Sequence, residues 1–281
     1  MSLERAEIRT ETHRNVAVLI IDHPRRHNAL TGGMLDELIS VLEQLADDPA
    51  ISVVVLTGTG AQFCAGMDIR ELRSARVEGI RMEDRVTDAE EALAAFPKPT
   101  IAAIRGYCIG GGAQLALACD FRVAAEGSEF AVTPAKLGVI YPARTIRRMV
   151  LTLGPATTKR LVITGDRIGS ALAAQLGVVT EVVPDETLVA HAMTLAESIA
   201  SRSSITQRAA KEMIDAAARG RLDDELEHYW RDATNPDLEI GLEAFLSGRS
   251  PQFSHAMRES THVNSIDSSI RPNRIVGRSS R

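Results

Sequence analysis

The sequence predicts an α/β fold in which strands and helices alternate through the first half and helices take over in the second. Two observations carry this. Apolar runs of strand length, "VAVLIID", "ISVVVLT" and "TIAAIR", recur between turn-forming stretches in the first half. After Pro142 the apolar residues fall at helical spacing almost throughout. Alternation followed by helices indicates an α/β core with an α-helical C-terminal portion.

The elements follow in order. Residues 16–22 form the first strand, which leaves into the turn-like "HPRRHNALTGG". Met34, Leu35, Leu38, Val41, Leu42 and Leu45 share one helical face, so 34–45 is a helix ending at "ADDP". The run 51–57 reads as a strand and leaves into "GTGAQFCAGMD". Residues 70–95 are densely charged with weak helical periodicity and read as a solvated face, up to the breaker "FPKP". A third strand, 100–105, feeds "GYCIGGG" and an apolar helix. Segments 121–125 and 130–133 are strands around "AEGS". Helices are expected at 144–153, 156–164, 170–176, 185–201, 206–219 and 223–232, with a short strand at 178–183. From 255 the chain is rich in Ser and Arg with little apolar content and reads as a flexible tail.

Composition excludes several classes. A net charge of −5 with both signs interspersed offers no basic surface for nucleic acid, and aromatics at 4% offer no stacking platform. Cys64, Cys108 and Cys119 form no CxxC pair and read as reduced thiols of a cytoplasmic protein. No apolar leader follows Met1 and no apolar run reaches about 18 residues, so neither export nor membrane insertion is expected.

The stretch "IGGGAQLALACD" holds the chemistry. Glycines at a strand-to-helix turn permit unusual φ and close approach of another molecule to the backbone. A helix tip offers unpaired N–H groups and partial positive charge, which suits a phosphate or a developing oxyanion. Gly110-x-Gly112 lacks the third glycine of a dinucleotide fingerprint, and no P-loop Lys-Ser/Thr follows. A tight helix–strand crossing is the structural alternative. A second turn, "AQFCAGMDI", exposes backbone N–H groups at Ala65-Gly66, and two such turns can converge on one carbonyl oxygen.

"FCAGMDI" and "IAAIRGYCIGGGAQLALACDFRVA", with "PRRHNAL" upstream and "GLEAFLSGRSPQF" downstream, resemble the crotonase (enoyl-CoA hydratase/isomerase) family over about residues 8–253. The resemblance implies a spiral of ββα units over 1–200, a helical oligomerisation region at 201–254 outside which the tail lies, and homotrimers or dimers of trimers. It implies a CoA thioester whose carbonyl oxygen accepts hydrogen bonds from the Met67 and Gly111 N–H groups. CoA belongs to the substrate; no separate cofactor or metal is implied. Arg25 or Arg26 would meet the CoA phosphates, and Asn28, Ala29 and Ala65 to Ile69, with Gly66 and Asp68, the adenine region. Gly110 and Thr133 would flank the acyl site, and the charged run 70–95 would be the helix beside it, its individual charges solvated. Tyr229 lies where the family closes over CoA, and core packing explains it equally well.

The sequence departs from the hydratase pattern at both glutamates. Gln114 stands at the first; an amide orients water or substrate but accepts no proton at neutral pH. Pro134 stands at the second. Tyr141, in "TPAKLGVIY", partly resembles the methylmalonyl-CoA decarboxylase branch, although Met67 stands where that branch has a histidine. Tyr141 is open to a proton-donating or a structural reading. The two missing glutamates point to a lyase of decarboxylase type that passes through an enolate; the alternatives are a hydratase or isomerase using unusual groups and an acyl-CoA binder without chemistry. His23 and His27 share no third metal ligand, and Cys64 has no His partner as a nucleophile.

Overall fold

The computed structural model describes residues 6–253, so the expected flexible tail lies outside the described residues. It opens with an antiparallel hairpin of β1 (Glu7–His13) and β2 (Val16–Asp22), joined at Arg14, whose φ is 56°. The sequence reading lacks β1. Ile8 is its one buried residue, so pairing and the 2.7 Å Arg9–Asp22 ion pair hold this strand, and no apolar pattern announces it.

The helix α1 (Gly32–Asp47), N-capped by Thr31, carries the chain across to β3 (Val53–Gly58), parallel to β2. The charged run then divides into α2 (Ile69–Val77) and α3 (Met82–Ala94), with Gly79 at φ 76° between them. β4 (Thr100–Ile104) and β5 (Tyr107–Ile109) lead into α4 (Gly111–Ala118). β6 (Phe121–Ala125) and β7 (Glu129–Ala131) follow, then the single turn α5 (Pro134–Leu137), which contains Pro134.

The two expected helices at 144–153 and 156–164 are the halves of α6 (Ala143–Thr164), bent where Gly154 takes φ 73° ahead of Pro155. β8 (Ile168–Gly169) and α7 (Ser170–Gln175) come next. Of the strand expected at 178–183, only β9 (Glu181–Val183) is extended; Val178 and Val179 are buried as its approach, and both N–H groups donate to the Ala173 carbonyl. α8 (Leu188–Ala200), α9 (Ser204–Ala218), α10 (Asp224–Arg231) and α11 (Asp237–Leu246) complete the described chain. None of these helices is long and apolar enough to cross a membrane.

The main sheet runs β1-β2-β3-β4-β6-β9, parallel except for the first pair; β5, β7 and β8 form a smaller one. Strand side chains alternate in direction, so an all-apolar strand must be covered on both faces. Ala17, Leu19 and Ile21 of β2 meet one core with Leu35, Leu38 and Leu42 of α1. Val16, Val18 and Ile20 meet the other, closed by Leu188, Ala192, Ala196 and Ala200 of α8. Burying each Leu or Ile side chain stabilises by about 1.5–3 kcal/mol, so the central strands are rigid anchors for the loops at their carboxyl ends. Those loops make the site.

Candidate active site

Two backbone segments are locked against each other by main-chain hydrogen bonds. Cys64 N–H donates to the Tyr107 carbonyl at 2.7 Å, and Ile109 N–H to the Cys64 carbonyl at 2.9 Å. Nearby, Leu30 N–H donates to the Gly66 carbonyl at 2.7 Å and Asp68 N–H to the Leu30 carbonyl at 2.8 Å. These two bonds bracket Met67 in a parallel bridge, so the Met67 N–H points away from Leu30. On the other side Gly110 takes φ 54°, ψ −116°, a conformation glycine adopts without strain, and sets the first turn of α4. Gly111 is the first helical residue, and its N–H has no partner inside the helix.

The two N–H groups sit together. A Cβ at Gly111 would lie 3.8 Å from the Met67 nitrogen, and one at Gly66, whose φ is 94°, would lie 3.5 Å from the Gly111 nitrogen. Neither group donates to another backbone carbonyl among the described residues. They open on a cavity of about 70 Å³. Ala65, Gly66, Met67, Ile69, Gly110, Gly111, Gln114, Thr133, Pro134 and Tyr141 all line it, so the structure brings together most of the site read from sequence.

The side chains in this wall are unevenly satisfied. Gln114 is 4% exposed, and its Oε1 is buried without a donor. The Tyr141 hydroxyl would lie 3.9 Å from a Cβ at Gly110. Burial pushes its pKa up to about 12; a contact with Gln114 opposes that shift and the charge of Glu90 adds to it. Gln114 Oε1 has no hydrogen-bond donor among the described residues, so it stays open to a ligand. Tyr141 therefore keeps its proton at neutral pH and can donate it, while its oxygen can still accept a hydrogen bond. Among the lining residues there is one carboxylate, Glu83 of α3, and no Lys, Arg or His.

Other expected residues do different work. Asn28 is fully buried, and its side-chain amide donates to the carbonyls of Thr59 at 2.9 Å and Gln62 at 2.6 Å while its Oδ1 accepts from His23 N–H. It is a clamp on the loop after β3, with its side-chain amide engaged inside the protein, so only its backbone remains for a ligand. Ala29 is buried, and its carbonyl faces His23 Nδ1 at 2.8 Å. Asp68 caps α2, accepting from Arg70 N–H at 2.8 Å. Arg25 and Arg26 end a short 3-10 turn beside the mouth of the β2 loop, Arg25 exposed and Arg26 half-buried. Tyr229 lies on α10, stacks edge-on against Trp230 and does not line the cavity. Burial raises the Cys64 thiol to about 12, which rules out a thiolate nucleophile at neutral pH and agrees with the small buried role.

Sequence reasoning missed the roles of two of the three glutamates of α3, Glu83 and Glu90. Glu83 was absorbed into a charged run read as solvated; the signal against that reading is its place between Met82 and Val86, both buried. Glu90 is 1% exposed. Its Oε2 accepts from Thr145 Oγ1 at 2.7 Å, and Arg148 Nε stands 3.0 Å from its Oε1 as an ion contact without hydrogen-bond geometry. Burial lifts the Glu90 carboxyl to about 7, against the Thr145 hydrogen bond and the Arg148 charge. With the folded pKa above the ordinary value of 4.5, the folded state holds a proton that the unfolded chain releases. Stability should therefore fall as pH rises from about 4.5 to about 7. Urea unfolding at pH 5 and 7.5 should show this slope, and Glu90→Gln should flatten it.

The family model described as enoyl-CoA hydratase/isomerase matches residues 11–256. The chain belongs to the enoyl-CoA hydratase/isomerase family. Among curated relatives, a mitochondrial enoyl-CoA hydratase of Pongo abelii is 36% identical over 85% of this chain and 83% of that protein. The 2,3-dehydroadipyl-CoA hydratase of Escherichia coli is 32% identical over 88% and 98%. Among solved structures, an enoyl-CoA hydratase of Bacillus anthracis superposes with a TM-score of 0.82 at 32% identity, covering 89% of this chain and 99% of that one. These matches confirm the crotonase fold expected from the motifs and make the chain an acyl-CoA-processing enzyme of that family.

Proposed function

We propose that this chain is an acyl-CoA lyase working through a thioester enolate, and that its reaction is reversible addition of water across C2–C3 of a 2-enoyl thioester. One observation carries the reading. Two N–H groups without backbone acceptors, at Met67 and Gly111, share a cavity with acceptors that lack donors, Gln114 Oε1 and the Glu83 carboxylate. The first pair suits the oxygen of an enolate and the second suits a water. The hydratase names of the relatives point the same way.

Decarboxylation of a malonyl-type thioester is the second reading, and two residues favour it. Pro134 occupies the place of a glutamate, and Tyr141 can protonate C2 once CO2 has left an enolate behind. Charge opposes it. A second carboxylate would enter a wall that already holds Glu83 and, among the described residues, no cation.

Mass spectrometry of a 2-enoyl-CoA, methylmalonyl-CoA and a saturated acyl-CoA, each incubated with the protein in heavy water, separates the readings. Water gain on the enoyl thioester is expected. Loss of CO2 with deuterium gain would replace this reading with decarboxylation. Three unchanged thioesters that nonetheless raise the melting temperature would leave an acyl-CoA binder. Tyr141→Phe should slow hydration only a few-fold, whereas a decarboxylase relying on that phenol should lose about 10²-fold or more.

We also infer that the working form is a homotrimer or dimer of trimers. Leu238, Leu242, Phe245 and Leu246 of α11 are exposed together, an apolar patch that a monomer rarely leaves in water. Light scattering of the full chain should give a mass three or six times that of the chain.

A further inference from the structure

We propose that Glu83 is the acid–base carboxylate of this site, acting from α3 in place of the two glutamates missing at Gln114 and Pro134. The proposal rests on the water-addition reading above. Glu83 is half-buried in the cavity wall and is the one carboxylate among its lining residues. Its side chain forms no ion pair or hydrogen bond with any described residue. Of the other charged residues on α3, Arg85 meets Asp36, Asp88 meets Arg144, and Glu90 meets Thr145 and Arg148, while Asp84, which does not line the cavity, has no side-chain partner among the described residues. A half-buried carboxylate without a protein partner keeps its oxygens available to a ligand in the cavity. Gln114 Oε1, buried and without a donor in the same cavity, is an independent sign that the missing ligand is a hydrogen-bond donor.

Water supplies two O–H donors, one for each acceptor. Gln114 Oε1 takes one O–H and holds the water oxygen. Glu83 takes the other and becomes the base. As the water oxygen bonds to C3, the C2–C3 π pair moves onto the thioester oxygen, held by the Met67 and Gly111 N–H groups, and the water proton passes to Glu83. The enolate pair then returns to C2, which takes the proton from Glu83. One O–H and one π bond are broken, one C–O and one C–H bond are formed, and Glu83 ends ionised as it began. The role of Gln114 as an orienter needs no basic lone pair, which is why an amide suffices there.

The test is hydration of 2-enoyl-CoA thioesters of four, eight and twelve carbons by the full chain, comparing wild type with Glu83→Gln and Glu83→Asp. Glu83→Gln should lower kcat by about 10²-fold or more with KM little changed and with the same rise in melting temperature on adding the enoyl-CoA. Glu83→Asp should recover part of the rate, since it restores the base at a shorter reach. If wild type hydrates and Glu83→Gln hydrates as fast, the assignment of Glu83 is overturned while the water-addition reading stands. If Glu83→Gln and Glu83→Asp lose KM and kcat equally, Glu83 shapes the cavity and is not the base. If wild type binds these thioesters and hydrates none, the water-addition reading itself falls, and the assignment with it.

Discussion

Gly111→Pro should lower kcat on the acyl-CoA substrate by about 10²–10³-fold, the loss that follows removal of one oxyanion donor, or about 2.7–4 kcal/mol of barrier. The substitution is unusually clean at this position. Gly111 opens α4, and the first helical residue is where proline is tolerated because its N–H has no helical partner to lose. The added Cβ would meet Leu30 Cδ1 at 3.3 Å and Val86 Cγ1 at 3.5 Å, both ends of side chains that can give by a few tenths of an ångström. Gly111→Ala adds the same Cβ and keeps the N–H, so it should retain activity within a few-fold. The alanine variant measures the effect of the Cβ alone; the further loss in the proline variant measures the N–H together with the ring carbon that takes its place. Equal activity in the proline and alanine variants, with matched melting temperatures, would remove the proposed hole.

The meeting of the Met67 and Gly111 N–H groups was legible in the sequence because glycine spacing encodes backbone, and backbone alone places them. Gly66, Gly110 and Gly111 stand where a positive φ or a close approach is needed. The central strands were legible for a related reason: they are covered on both faces, so their apolar runs are continuous. What sequence could not supply was which side chains share a cavity. Glu83 and Glu90 lie seven residues apart on α3, yet one lines the cavity and the other is buried against α6, a distinction made by what packs against each part of the helix. Asn28 reads as a polar loop residue open to a ligand; only the fold shows its amide spent on two carbonyls. β1 escaped because an edge strand can be held by its ladder with one buried residue. α11 escaped because its apolar side chains Leu238, Leu242 and Phe245 are exposed in the single chain.

Gly112→Ala should cost both stability and turnover, for a reason separate from the oxyanion N–H. A Cβ at Gly112 would sit 2.6 Å from Cys64 Cβ, 2.7 Å from the Cys64 carbonyl oxygen and 2.9 Å from its sulfur. Two of those atoms belong to the loop's backbone and its first side-chain carbon, so a rotamer change cannot relieve them. Nor can the loop slide away easily, because the Cys64 N–H and carbonyl are both bonded across to the β5 segment. Overpacking of this kind costs about 1–3 kcal/mol, and more where backbone must move. Whatever displacement the loop makes is handed on to Met67, three residues along, whose N–H must meet Gly111 within hydrogen-bond reach of one oxygen. A loss of about ten-fold or more in kcat is therefore expected even in the folded fraction, since misplacement by about 1 Å can cost 10²-fold. Cys64→Ala removes only the sulfur contact and should not rescue it. Gly33→Ala is the matching control: it lies exposed in α1 with Thr31 Oγ1 3.9 Å away as the nearest atom, and it should stabilise the chain by about 0.5–1 kcal/mol without touching activity. If Gly112→Ala melts and turns over like Gly33→Ala, then α4 and the Cys64 loop are not in the close contact on which the Met67–Gly111 hole depends.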